Sequence, residues 1–211
     1  MSRREVRETY DRIAEHFAQT RAYAWPDVEQ FIENSSHSPV ALDLGCGNGR
    51  HAELLAETAE TVVCADLSEE VLGTARDRIE SDTPAYLVQA DAATLPFRRA
   101  SVDLVVYIAA LHHLPTRALR IRSLNELARV LTPTGRALIS VWSTEHSSFD
   151  ATDGFDTTIN WTLPDGEIVE RFYHIYDPAE FDHDVRESAL SVRDVFVNEG
   201  NSYAVVEARE Q

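Results

Sequence analysis

An aspartate and three alternating glycines stand together in Asp43-Leu-Gly45-Cys-Gly47-Asn-Gly49, at the end of the apolar run Pro39–Leu44. Alternating glycines let a backbone turn sharply and approach a bound molecule closely. A dinucleotide loop would carry G-x-G-x-x-G to seat a pyrophosphate on a helix N-terminus, and counted from Gly45 the third glycine is replaced by Arg50. The leading acid is likewise wrong for a phosphate and right for a cation. Asp66, followed by Leu67, closes the next apolar stretch, where a carboxylate can accept both hydroxyls of a ribose. Asp91, followed by Ala92, comes after the third, placed to accept from an adenine amino group. The fourth stretch ends at Ile108, under the remainder of such a ligand. S-adenosylmethionine, a nucleoside bearing a sulfonium and an ammonium and no phosphate, matches that order of groups.

The elements that must position these residues alternate. The pattern predicts helices over Ser2–Phe17 and after Pro26, strands over Pro39–Leu44, Thr61–Ala65, Ala85–Ala90, Val102–Ile108 and Arg136–Trp142, and helices over Arg50–Thr58, Glu69–Glu80 (capped by Ser68) and Thr116–Leu131. Ser143–Asp165 reads as polar and irregular, with Trp161 as its one large anchor, and Ser191–Val197 and Tyr203–Ala208 read as a closing antiparallel pair. The expected fold is α/β: a doubly wound, mostly parallel, seven-stranded Rossmann-like sheet with helices on both faces, its ligands past the carboxyl ends of the strands. We expect one domain, with a helical cap over 1–38, a cofactor-binding core over 39–142 and a substrate-side insertion with closing strands over 143–211.

Composition narrows the setting. The 211 residues carry 36 acidic and 19 basic side chains, a net charge of −17, and lysine is absent, so every basic residue is arginine. That balance suits a salt-rich cytoplasm, as in an extreme halophile, where at ~1 M salt the Debye length is about 3 Å. A polyanionic partner would then need local arginine clusters, for which Arg3, Arg4, Arg7 and Arg12, and Arg117, Arg120 and Arg122, are candidates. The charged N-terminal stretch lacks the apolar run of a signal peptide and no segment has the length of a membrane span, which points to a cytoplasmic protein without membrane contact. Cys46 and Cys64 do not make a disulfide framework or a metal site.

The acidic residues at successive strand ends make the chain resemble the class I S-adenosylmethionine-dependent methyltransferases. Within them, HFAQTR (His16–Arg21) running on to Trp25-Pro26, the LHHL segment around His112 and His113, Trp142 at a strand end, and Arg171-Phe-Tyr-His174-Ile-Tyr176 are similar to the wobble-uridine tRNA methyltransferases. LHHL alone is shared with small-molecule enzymes acting on quinone-like acceptors. Phe172 departs from the family's usual tyrosine, and Ser143–Asp165 matches it poorly. The resemblance implies methyl esterification of 5-carboxymethyluridine at the anticodon wobble position, with the tRNA anticodon arm as partner and a small zinc-binding activator subunit adding a strand to a sheet edge.

A carboxylate acceptor changes what the site must supply. Its pKa lies near 4, so it is already a nucleophile at neutral pH and no general base is required. A cation must select it, and arginine's planar fork suits that task; Arg21 is the first candidate and Arg171 the second. His112, His113 and His174 are then pocket walls or hydrogen-bond donors, Tyr10 a cover over the cofactor, and Trp142 a stacking surface for a uridine. The alternatives are a small-molecule methyltransferase and a non-catalytic cofactor-binding module.

Overall fold

The computed structural model describes residues 1–209; the last two residues of the C-terminal region lie outside the described residues. Its strands are β1 (Ser38–Leu44), β2 (Ala59–Asp66), β3 (Ala85–Gln89), β4 (Val102–Ile108), β5 (Leu131–Trp142), β6 (Phe155–Thr162), β7 (Ile168–Ile175), β8 (Leu190–Asn198) and β9 (Asn201–Ala208). The helices are α1 (Arg3–Gln19), α2 (Pro26–Glu33), α3 (Ala52–Thr58), α4 (Glu69–Arg78), α5 (Arg117–Val130) and α6 (Pro178–Glu187), with a 3-10 turn at Leu111–His113. Seven strands form one sheet in the order β3-β2-β1-β4-β5-β9-β8. β1 to β5 run parallel, and β9 and β8 close the sheet antiparallel. The order reverses between β1 and β4, and a ligand crevice belongs at that reversal.

Both faces of the central strands are buried, as a parallel sheet demands. Leu42 and Leu44 of β1 pack with Leu124 and Leu127 of α5 on one side. Ala41 packs with Leu55 of α3 and with Val28 and Phe31 of α2 on the other. Cys46 and Cys64 are free and buried. Among the described residues no helix is long and apolar enough to cross a membrane.

α1 lies across the strand tips and is fixed at both ends. Ser2 and Glu5 form a reciprocal capping box at its start. Asp11 accepts from Ser68 Oγ at 2.6 Å, and Asn48 donates to the carbonyls of Ala18 and Arg21 just beyond its last turn.

Two expectations change. Helix α3 starts at Ala52 rather than Arg50, because Gly49 and Arg50 still belong to the turn. Ser143–Asp165 is not wholly irregular: Phe155–Thr162 is a strand paired with β7 as a separate antiparallel hairpin, in which Trp161 faces Val169 and Asp156 faces His174. Its alternation of exposed and less exposed residues is the period of a half-buried strand, obscured in the sequence by the threonines and Asn160.

The arginine groups nominated for RNA phosphates are also redirected. Arg3 pairs with Asp91, Arg4 with Glu8, Arg7 with Asp11 and Arg12 with Glu167. Arg117 is held by Asp184 and Glu187, Arg120 is buried against the Tyr176 ring, and Arg122 donates to Thr94. In so acidic a chain most surface cations meet a carboxylate before they meet a ligand.

Candidate active site

A cavity opens over the tips of β1, β2, β4 and β5 beneath α1. Of the expected residues, Gly45, Gly47, Asp66, Leu67, Asp91 and Ala92 line one side of it, and Ile108, His112, His113 and Trp142 the other, with Tyr10 and Arg21 contributed by α1 and the loop after it. Asp43 is 1% exposed directly behind the glycine turn. Gly49 does not face the cavity; a side chain there would meet Ile79 and Ala75. Sequence reasoning missed Phe17, Arg50, His51 and Tyr173, which also border the space. His51 and Arg50 follow the glycines directly, and Tyr173 shares a face of β7 with Arg171 by strand period, so each had a signal of position but none of contact.

The nucleoside side is acidic and pre-shaped. Asp66 Oδ2 accepts from Gly47 N at 3.1 Å and Oδ1 from Ser68 N at 3.0 Å. A carboxylate has about four lone-pair sites, so both oxygens retain capacity toward the cavity. Burial raises the Asp66 pKa against the lowering effect of those amides. Arg50 Nε donates to His51 Nε2, so His51 Nδ1 carries the proton that points to Asp43 Oδ1 at 3.3 Å. Asp43 Oδ2 is buried with no hydrogen-bond partner. An unsatisfied buried carboxylate oxygen behind a glycine turn, with further carboxylates ahead, suits a cationic nucleoside and repels a phosphate. S-adenosylmethionine therefore fits the residues present: Asp66 for its ribose, the glycine turn and Asp43 for its charged end. Asp91 is less free than expected, because Arg3 and Ala93 N already occupy its oxygens.

The far side is a wall of rings whose protons can be assigned. The Phe172 carbonyl can only accept, so His113 Nδ1 donates to it at 2.9 Å, and His113 Nε2 accepts from Tyr10 Oη at 2.8 Å. Burial pushes the His113 imidazole down to about 3. His112 Nδ1 accepts from Trp142 N at 2.9 Å, leaving the proton on Nε2, which is buried without a partner. Burial, reinforced by His113 and Arg171, holds His112 well below its ordinary value. Both imidazoles are neutral, and the free ring atom of the pair is a donor. Tyr173 Oη accepts from Arg171 at 2.8 Å and hydrogen-bonds the Tyr10 hydroxyl, whose own proton goes to His113.

Two expectations are corrected by this geometry. Arg171 is 4% exposed, lies over the Trp161 and Tyr173 rings and orders Tyr173 from behind instead of lining the cavity. His174 points to the opposite face of β7, where Asp156 and Glu180 take both ring nitrogens at 2.7 and 3.0 Å. Trp142 lines the cavity as expected, and its stacking with Tyr173 and His146, at 5.0 and 5.3 Å, fixes Tyr173 in place.

The neutral state of His113 has a measurable consequence. Unfolded, it gains a proton near pH 6.5; folded, it refuses that proton until about 3. Stability is therefore expected to fall as pH drops through that interval, by up to ~1.4 kcal/mol per pH unit from this one group. Urea midpoints measured between about pH 6 and pH 4 should decline less steeply in His113→Gln. Equal slopes in the two proteins would show that the imidazole is not held neutral.

A doubly wound sheet with a glycine turn after β1, a carboxylate ending β2 and a crevice at the β1/β4 reversal defines the class I methyltransferase fold. The methyltransferase-domain family matches residues 42–139. The tRNA (carboxymethyluridine(34)-5-O)-methyltransferase of Arabidopsis thaliana is 34% identical over 174 residues, 82% of this chain and 39% of that protein. The chain spans less than two thirds of the length of the curated relatives it matches. Among solved structures, a chain from the complex between the Haloferax volcanii Trm112 methyltransferase activator and a methyltransferase superposes with a TM-score of 0.77 at 19% identity, covering 98% of each chain. The DhpI–SAH complex gives 0.76 at 19% identity, covering 99% of this chain and 97% of the other. Residues 42–139 of this chain are a methyltransferase domain whose cavity fits S-adenosylmethionine, and the chain resembles the tRNA carboxymethyluridine enzymes.

Proposed function

We propose that the chain esterifies the carboxylate of 5-carboxymethyluridine at the tRNA wobble position, in the cytoplasm, as the catalytic subunit of a pair with a small activator protein. The observation that carries this reading is the proton inventory of the ring wall. The groups left free there, His112 Nε2–H and the Arg21 guanidinium, are both donors. The His113 lone pair is taken by Tyr10 and that of His112 by Trp142 N. A hydroxyl or amine acceptor would need a base on that wall; an anionic acceptor needs only donors and alignment.

When bound, S-adenosylmethionine supplies an activated methyl group on a sulfonium. The chain's own work is then to hold the acceptor anion with Arg21, direct it through His112, and exclude water with the rings under α1. Arg21 lies over the Phe17 ring at 4.9 Å and has no carboxylate partner among the described residues. Neutral walls around an anion and a cation favour a step in which those charges disappear.

The activator finds support in the sheet edges. β8 protects its edge with Arg193, Asp194 and a bulge. β3, Ala-Tyr-Leu-Val-Gln, carries no charge, and its Tyr86 is 63% exposed. An unblunted edge of this kind is suited to receiving a strand from another protein. A structurally similar methyltransferase is found in complex with an activator.

Nucleoside mass spectrometry of tRNA from a deletion strain tests the reaction: the wobble methyl ester should vanish while its free acid accumulates. An unchanged profile would exclude the reading. Arg21→Ala should lower kcat/KM by roughly 10–100-fold, the worth of one charge-assisted contact, with S-adenosylmethionine affinity nearly unchanged. If cofactor binding collapses instead, Arg21 serves the donor and the acceptor assignment is wrong.

A further inference from the structure

With the α1 arginines and Arg117 paired to carboxylates, Arg120 buried and Arg122 on the Thr94 hydroxyl, a different cationic centre stands out at the cavity mouth. Arg78 donates to the carbonyl of Arg21 at 2.9 Å and to that of Ala22. Arg50 donates to the carbonyl of Tyr23 and lies over the Trp25 ring at 5.0 Å. Arg21 lies over Phe17. Three guanidiniums thus converge on the loop between α1 and α2. None has a carboxylate within ion-pairing distance among the described residues, in a chain with 36 acids to 19 arginines. Burial, and the charges of Arg21 and Arg78 against the pull of Asp43, lower the Arg50 pKa to about 10. On the same loop Tyr23 is 84% exposed, the barest large hydrophobic side chain among the described residues.

Convergent unpaired cations beside an uncovered aromatic ring are the combination that grips a single-stranded nucleic acid: cations for the backbone, a ring for a base. We propose that Arg50, Arg78 and Tyr23 form an RNA backbone site at the cavity mouth, taking a phosphodiester next to the target nucleotide, with Tyr23 stacking on a neighbouring base. This rests on the RNA acceptor proposed above and specifies how the strand is held as its modified base turns into the cavity. Arg21, at the inner end of the cluster, faces the acceptor; Arg78, which does not border the cavity, faces the strand outside it.

The test uses the full chain and an anticodon stem-loop RNA carrying 5-carboxymethyluridine, with binding followed by fluorescence anisotropy over a salt series and cofactor affinity by calorimetry. Arg78→Gln keeps an amide donor for the loop carbonyls while removing the charge. It should weaken RNA binding roughly 3–10-fold and reduce the salt slope by about 0.7, one single-strand phosphate contact. Arg78→Lys should restore most of the slope. Tyr23→Ala touches only an exposed ring, and should weaken RNA binding roughly 5-fold or more with the slope unchanged. S-adenosylmethionine affinity should stay at the parent value in all three. Parental RNA affinity and slope in both Arg78→Gln and Tyr23→Ala would overturn the proposal. So would loss of cofactor affinity in Arg78→Gln, which would assign the cluster to the donor's own carboxylate. If the parent protein itself neither binds nor methylates the stem-loop, the RNA acceptor reading fails first, and that result is distinct from either variant outcome.

Discussion

Gly45→Ala is expected to cost the protein both stability and its cofactor. A β-carbon at this position would lie 2.4 Å from the Ala110 Cβ, and the backbone there has φ +70°. Neither side of the contact can retreat easily. Gly45 N is tied to the Ala65 carbonyl at 2.7 Å, and Cys46 N to the same oxygen. Ala110 follows Ala109, itself left-handed at φ 52° and bonded through its N–H to Ser140. The left-handed strain of an alanine costs about 1–2 kcal/mol and overpacking typically about 1–3 more. The only relief is to lift the glycine turn into the space the cofactor occupies. Urea denaturation should show a loss of roughly 2–5 kcal/mol, and calorimetry a loss of S-adenosylmethionine affinity of about 10-fold or more. Gly166→Ala separates strain from collision: its φ is +88° with nothing within 4 Å of the new carbon, so it should lose only about 1–2 kcal/mol and leave the cofactor alone. Parental cofactor affinity in Gly45→Ala would mean that the turn is not the wall of the binding site.

The positions of Asp43, Asp66 and Ile108 were legible because hydrophobic period, glycine and acid fall in one order along a parallel sheet, and the ends of its strands share one rim. Side-chain commitments were not legible, because partners come from distant sequence. Arg12 meets Glu167 across 155 positions, and nothing local to α1 announces it. The tautomers of His112 and His113 are set by Trp142 N and the Phe172 carbonyl, backbone groups on β5 and β7. The HHL segment shows two imidazoles but not that their lone pairs are spent. Arg171 and His174 fail as cavity residues for a reason that strand period alone does not supply. Period 2 puts them on opposite faces of β7: His174 is on the face turned away, and Arg171, on the face of Tyr173, is withheld from the cavity by the Trp161 and Tyr173 rings, the first of them on a strand hidden by its threonines. The same blindness inverted the basic patches: the α1 arginines found carboxylates, while Arg50 and Arg78, unremarkable in sequence, converged on the loop that carries Arg21.

Asp66→Asn should abolish cofactor binding more completely than its isosteric shape suggests. The carboxylate receives Gly47 N–H and Ser68 N–H on separate oxygens. An amide keeps one acceptor and turns an NH₂ toward the other backbone N–H, so one fixed donor loses its partner and a ribose hydroxyl loses an acceptor. Two contacts to a charged group, at about 1.5–3 kcal/mol each, correspond to a roughly 10²–10⁴-fold rise in Kd. Calorimetry with S-adenosylmethionine and with adenosine divides the effect: since Asp66 addresses the nucleoside half, both ligands should weaken by similar factors, whereas Arg21→Ala should leave both almost unaltered. pH gives an independent readout. Burial raises the Asp66 pKa, so parental cofactor affinity should decline on acidification sooner than an ordinary carboxylate would allow, as protonation removes an acceptor. In Asp66→Asn that decline should be missing, because no proton is left to bind. A variant that binds S-adenosylmethionine as tightly as the parent, or keeps the parental acid dependence, would remove Asp66 from the site and with it the assignment of the nucleoside to the β1/β2 side of the crevice.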